Sequence, residues 1–478
     1  MDDAFYVFSV SKHLAAGLGM TVDGMHLTNG FQPLLVLLYT PLFWLGGSNP
    51  WLAVRYSFLL NGFIAGLAVW AVAILLRTME RAPDRANFSA PIIGAAIWAF
   101  AYSIFAQMTN GLETGLASLL LLVALIVYAK EDLDAKEDSD RFRKIGNSQG
   151  WLLGLVLGFA VLARIDAAIF VAIIVFLQFW KKRIRAAIVT GAVALLVSSP
   201  WWIFNWIHFG SLMPISGQAE NIWPLPPHEN IYRATQAISN ILSLIVYLPD
   251  SLSFLLRILW LLALLAGIFL FLKRTTVAGK VRTAFRTDML LPLLLFSIVL
   301  FFYYTFFFRA PHFLERYFQP ARMLWSLLVA AGVAVLWREK IARKLIVIAI
   351  VAGLIFSIDR FATNYSFGSH QADFYDMGVW ANAHPKEKIG MLQSGIASFV
   401  APNVINLDGK VNAAALHAHQ QGRLAEYLRV ERFTYIADWK PFVEDLAKIA
   451  RTDKLYFDST GMIDHIQLMK RRENPHSN

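Results

Sequence analysis

The chain has 478 residues, of which 57% are apolar and only 16% charged, where soluble domains run at roughly 45–50% and about 25%. The apolar excess falls in blocks matched to the ~30 Å hydrocarbon core of a bilayer, which excludes a soluble protein of ordinary composition. A net charge of +10 first points to nucleic acid, but the basic residues sit at the ends of the apolar blocks, and the lack of cysteine excludes disulfides and thiolate metal sites.

The chain opens on Asp2-Asp3 with no basic segment ahead of an apolar one, so a cleavable signal peptide is not expected in this stretch. The run Phe31–Gly47 is apolar but carries Pro33 and Pro41, and it suits either a span or a helix lying in the membrane interface. Apolar windows predict spans near 51–77, 90–107, 111–129, 150–163, 166–180, 185–207, 250–272, 289–308, 320–337 and 343–358. The pair over 150–180 is short for two full crossings. Beyond about residue 360 the pattern changes to short strands at Lys388–Gln393, Val404–Leu407 and Thr434–Ala437, and helices at Ala413–Arg429 and Pro441–Arg451. The expected fold is therefore an all-α polytopic membrane protein of about 10–11 transmembrane helices, with a small C-terminal α/β domain outside the membrane. The expected divisions are 1–50, an outer loop with an interfacial helix, then 51–358 in the membrane and 359–478 as the α/β domain.

Charge gives the chain a direction. If Phe31–Gly47 does not cross, one side collects Arg77, Arg81 and Arg85, the Lys130–Lys144 loop, Lys181–Arg185, the Lys273–Arg286 group and Arg338–Lys344. The other side holds Lys12, Arg164, Arg233, Arg309 and Arg316. The excess marks the cytoplasmic face, which puts the N-terminal segment and the tail on the outer face of the plasma membrane. An N-terminus on that side is expected to follow a further helix upstream of Met1.

The outer face carries the polar candidates. Asp2-Asp3 suits a general base, a metal ligand or mere solvation of the chain start. His26, Asn29 and Gln32 lead into the interfacial helix. Glu113 lies about one turn inside a span, where an ionisable group is either functional or one half of a Glu–Arg pair. Arg164-Ile165-Asp166 at an outer turn reads as an ion pair or clamp. The segment Arg309–Arg322, with His312 and Arg316, gathers positive charge on the side that otherwise avoids it. A phosphate group answers that anomaly through guanidinium geometry, and neutralisation by Glu315 and the Asp pair is the competing account. Carboxylates and arginines on one face fit glycosyl transfer from a lipid-phosphate sugar.

Asp2-Asp3-Ala4-Phe5, the turn Gly17–Thr21 and Thr28-Asn29-Gly30-Phe31-Gln32-Pro33-Leu34 resemble the first outer loop of GT-C superfamily glycosyltransferases. Gly111–Thr114, Gly210–Ser216 and Glu315-Arg316-Tyr317 through Pro320 are similar to further motifs of bacterial members using polyprenyl-phosphate mannose, arabinose or galacturonic acid. The resemblance covers about residues 1–360. It implies an inverting transfer of a hexose or pentose to a glycan or lipid of the cell envelope, on the periplasmic face. Asp2 would be the base, with Asp3 orienting it or binding an ion. Arg316 and His312, with Arg309 or Arg322, would hold the donor phosphate, and a divalent metal is used by some relatives and not by others. In the tail, Gly395 and Asn406–Asn412, with Asp408, form a turn-rich strand end that reads as an Asp-Gly turn, or as an acceptor-binding element or lid. Two other function classes fit the composition. A transporter or flippase for a lipid-linked or anionic solute would also line a membrane cavity with such residues, and a non-catalytic envelope assembly protein would use the outer domain to bind a partner.

Overall fold

The structure, a computed structural model, describes residues 2–81, 89–137, 142–222, 225–242, 277–308, 315–337, 339–366 and 369–472. The expected span at 250–272 lies outside them, as do Arg309 and His312. The chain divides into two compact units.

One unit comprises Phe58–Pro200 and Pro224–Thr363 and is helical. Four described helical segments of the chain are long and apolar enough to cross a membrane: Pro50–Met79, Ile184–Phe209, Thr287–Phe308 and Arg316–Leu336. The expected span 90–107 is broken at Ala101 into Ser89–Phe100 and Tyr102–Met108. The short pair resolves into Phe142–Ala163 and Ala167–Trp180, joined at Arg164–Asp166. Packing explains the glycines of the first of these helices. A Cβ on Gly154 would stand 2.7 Å from the Thr190 carbonyl oxygen, and one on Gly158 would stand 2.6 Å from Val197. Gly150 faces Ala186 of the same partner helix, and the Thr190 hydroxyl donates to the Gly150 carbonyl at 3.2 Å. Glycine at every fourth position lets two helix backbones approach closely where lipid offers no hydrophobic drive.

The other unit joins Met1–Ser57, Trp201–Trp223 and Asn364–Asn478. Asp2–Ala15 is a helix, so the acidic pair sits in a helical first turn, where the helix dipole favours negative charge, and not in the loop expected from sequence. The left-handed backbone of Gly17 and Gly19 makes the turn that follows. Pro33 then opens the helix Pro33–Gly46 at a position where its missing N–H costs nothing, and Gly47 at positive φ ends it.

The tail forms a five-stranded sheet in the order β2-β1-β3-β5-β4. The strands are β1 Ile389–Met391, β2 Val404–Asn406, β3 Tyr435–Trp439, β4 Phe457–Ile463 and β5 Ile466–Arg471. The first three are parallel, and the hairpin β4–β5 adds on antiparallel. β1 and β2 are buried throughout, as parallel strands covered on both faces must be. Leu407, Phe433, Ile436 and Leu446 fill one face of the sheet, and Met377, Ile389, Ile396 and Val404 the other. The expected helix Ala413–Arg429 is two helices, Ala413–Gln420 and Leu424–Val430, separated by Gly422 in the left-handed region. The helices Ser369–Ala383 and Gly395–Val400 and the hairpin had no counterpart among the expected elements. Because β2 and β3 flank β1, the strand order reverses beside β1, and Ser394, Asn406 and Asp438 gather at the carboxyl ends of the parallel strands.

Candidate active site

Asp2 reaches the carboxyl end of β1. Its Oδ2 accepts the Gly395 N–H at 2.9 Å and its Oδ1 accepts the Ile396 N–H at 2.7 Å. Gly395 is required there, because a Cβ would collide with the Asp2 carbonyl oxygen and press to 2.8 Å from both carboxylate oxygens. One helical turn on, Tyr6 lies on the same face, and its hydroxyl oxygen accepts the Ser394 N–H and the Asn406 Nδ2–H, each at 3.2 Å. Burial pushes the Asp2 carboxyl up to about 6, the charge of Asp3 adds to the rise, and the two amide donors oppose it.

A second group follows the end of β2. Lys410 Nζ stands 3.0 Å from Glu220 Oε1 and 3.9 Å from Asp408 Oδ2. Burial works against the Lys410 charge, but Asp408, Glu220 and Asp3 together raise the ammonium above its ordinary range. Burial also pushes Asp408 up to about 6, partly offset by Lys410, and Asp438 up to about 7 against its backbone donors. The Asp408 carboxylate accepts the Lys410 N–H at 2.8 Å, which closes the Asp-Gly turn with Gly409 at φ 81. Gly30 packs against the Lys410 carbonyl with no room for a side chain.

The remaining candidates of the N-terminal segment are His26, Asn29 and Gln32. Asn29 is fully buried. Its Nδ2–H donates to Asn205 Oδ1 at 3.1 Å, and its Oδ1 accepts the Ile215 N–H at 3.0 Å. It clamps its segment to Asn205 and to the Ile215 backbone. His26 pairs with Asp23 at 2.5 Å, and that hydrogen bond raises its imidazole above the ordinary value. Gln32 precedes the helix Pro33–Gly46 and has a buried Oε1 with no partner among the described residues. Among the described residues no three His, Asp or Glu side chains are arranged to hold a metal ion.

The helical unit holds a separate constellation. Arg164 grips Asp166 with two hydrogen bonds of 3.1 and 2.6 Å and reaches Glu113 at 3.3 Å. Glu113 is thus half of the Glu–Arg pair that sequence left as an alternative. The Tyr304 hydroxyl donates to Asp166 at 2.8 Å from the π-helical turn Tyr303–Phe308. The Tyr304 ring stacks on Tyr317 at 4.3 Å, and the Arg164 and Arg316 guanidinium groups stand 5.9 and 5.6 Å from the Tyr317 ring centre. Arg164, Asp166 and Arg316 line a narrow cleft with Thr114, Gln319, Phe296 and Met323. Gln319 is 3% exposed, and neither end of its amide has a partner among the described residues. Arg322 does not line this cleft; it is fully buried within its helix.

No protein-family model matches the chain, and no curated protein matches it by sequence. Solved structures do match. ArnT from Cupriavidus metallidurans bound to undecaprenyl phosphate superimposes with a TM-score of 0.59 at 11% identity, over 98% of this chain and 93% of that one. The apo state of the same protein gives 0.55 at 12% identity, over 98% and 92%. The chain shares the ArnT fold. The likeness to ArnT bears out the GT-C resemblance at the level of fold.

Sequence singled out Asp2, Asp3, Arg164, Arg316 and Asp408, placed Gly395 and Lys410 in the turn-rich strand end of the tail and Gln319 in the arginine segment, and gave no role to Tyr6, Glu220 or Tyr304. Only Tyr6 left a usable signal, because a residue four after an acidic one shares its helix face.

Proposed function

We propose that the chain is a membrane glycosyltransferase that takes a sugar from a polyprenyl-phosphate donor. The observation that carries this reading is the ArnT fold over nearly the whole chain, in a protein crystallised with undecaprenyl phosphate. The acidic centre and the arginine-lined cleft supply residue types that such a reaction uses. In this reading the acceptor is a glycan or lipid of the cell envelope, and the chemistry takes place on the periplasmic face of the inner membrane. Asp2 removes the acceptor hydroxyl proton while that oxygen attacks the anomeric carbon. The bond from that carbon to the phosphate oxygen breaks in line, its electron pair leaves with the phosphate, and the anomeric configuration inverts. Asp3 orients Asp2. Arg316, with Arg309 and His312, offsets the charge gathering on the leaving phosphate.

Two features support Asp2 as the base. Its carboxylate is held by two amides, and its titration near pH 6 places it close to the pH at which a general base works best. Arg316→Ala should weaken binding of undecaprenyl phosphate to the detergent-solubilised chain by roughly 10- to 100-fold, the usual worth of a charged hydrogen bond. Unchanged affinity would remove Arg316 from the donor site.

A further inference from the structure

We propose that the C-terminal domain is part of the catalytic centre, with Gly395 as the positioning residue that lets two backbone amides hold the Asp2 carboxylate. The inference rests on the transferase reading and gives the tail a role in it. In open α/β sheets the crevice beside the strand-order reversal, at the carboxyl ends of the strands, is where a ligand ordinarily sits. Here a side chain of the same polypeptide fills that place. The Asp2 carboxylate takes the Gly395 and Ile396 amides at 2.9 and 2.7 Å, and Tyr6 fastens the same helix to Ser394 and Asn406. The joint is fully made, since Asp2 and Tyr6 engage the ends of both β1 and β2.

Gly395 is what makes the contact close. Any side chain there would push on the Asp2 backbone and on both carboxylate oxygens at once. A carboxylate moved by about 1 Å loses its alignment with an acceptor hydroxyl, and such misplacement costs on the order of 10²-fold in rate. The amides also lower the pH at which Asp2 takes up a proton, so losing them raises it. Asp2 sits among Asp3 and Tyr6 of its own helix and Asp438 at the end of β3, with Asp408 and Lys410 following β2. None of these is altered by a change at Gly395.

The test uses the full chain in detergent and follows release of undecaprenyl phosphate from undecaprenyl-phosphoryl hexose and pentose donors. Gly395→Ala should lower kcat about 100-fold with the KM for donor unchanged, and should move the acidic limb of the pH profile upward. The double variant with Asp2→Asn should be no slower than Asp2→Asn alone. Should Gly395→Ala fail to fold, the isosteric Tyr6→Phe loosens the same joint and should lower kcat by roughly tenfold at constant KM. Wild-type kcat and an unmoved acidic limb in a folded Gly395→Ala, or wild-type kcat in Tyr6→Phe if that variant has to serve, overturn the positioning role alone. No release by the wild-type chain from either class of donor overturns the transferase reading, and this inference with it.

Discussion

At the residue scale, the acidic centre makes pH its most direct readout. A base must be ionised to work, so activity should rise with pH through the Asp2 titration near 6 and be lost below it. A profile flat from about pH 5 to pH 8 contradicts Asp2 as the base. The Arg164 cluster answers a different question. Its guanidinium holds two carboxylates, so Arg164→Ala leaves Asp166 and Glu113 buried without their partner. A loss of about 3–5 kcal/mol in stability is expected from thermal or denaturant unfolding, because breaking a buried ion pair strands charge. Legibility at this scale followed sequence distance. Arg164 and Asp166 are two positions apart and were readable as a clamp, whereas Asp2 and Gly395 are 393 apart and meet only because the tail folds onto the N-terminal helix.

At the element scale, strands β1–β3 and the long apolar helices were legible from uninterrupted apolar runs. The hairpin was not. β4 shows five consecutive exposed residues and a register shift between Ser459 and Gly461, which erases the alternation that identifies a half-buried strand. The break at Ala101 was invisible because no glycine, proline or charged residue marks it. The glycine stripe predicts its own failure. Gly154→Leu should force apart Phe142–Ala163 and Ile184–Phe209, lowering the melting temperature of the detergent-solubilised chain, while substitution of Gly62, which has open space around it, should not.

The unit containing the tail should also respond to pH in stability. Asp2, Asp408 and Asp438 are raised to about 6, 6 and 7 from 3.8, so the fold favours their protonated forms. That contribution is full below about pH 3.8 and is lost as pH rises through 6 to 7. Melting temperature should therefore fall between about pH 5 and pH 8, and Asp438→Asn should flatten the change. An equal slope in that variant contradicts the assignment.

At the scale of the whole molecule, membrane character was legible because hydrocarbon thickness acts on every span, and charge asymmetry gives the direction that labelling can test. The ArnT-like arrangement was less so. Identity of 11–12% leaves few shared side chains, and the motifs suggesting it are short. The chain lacks cysteine, so single-cysteine variants report orientation without background. By the charge rule, a thiol at Val430 (63% exposed) should react with a membrane-impermeant maleimide in intact cells, and one at Ile341 (80% exposed) only after permeabilisation. The reverse pattern would invert the topology. The transferase claim itself is tested most directly by turnover. Purified wild-type chain, incubated with undecaprenyl-phosphoryl hexose and pentose donors and an envelope lipid extract, should release undecaprenyl phosphate, and Asp2→Asn should lower that release by about 10²- to 10⁴-fold while still binding donor. No release by the wild type, or equal release by Asp2→Asn, contradicts it.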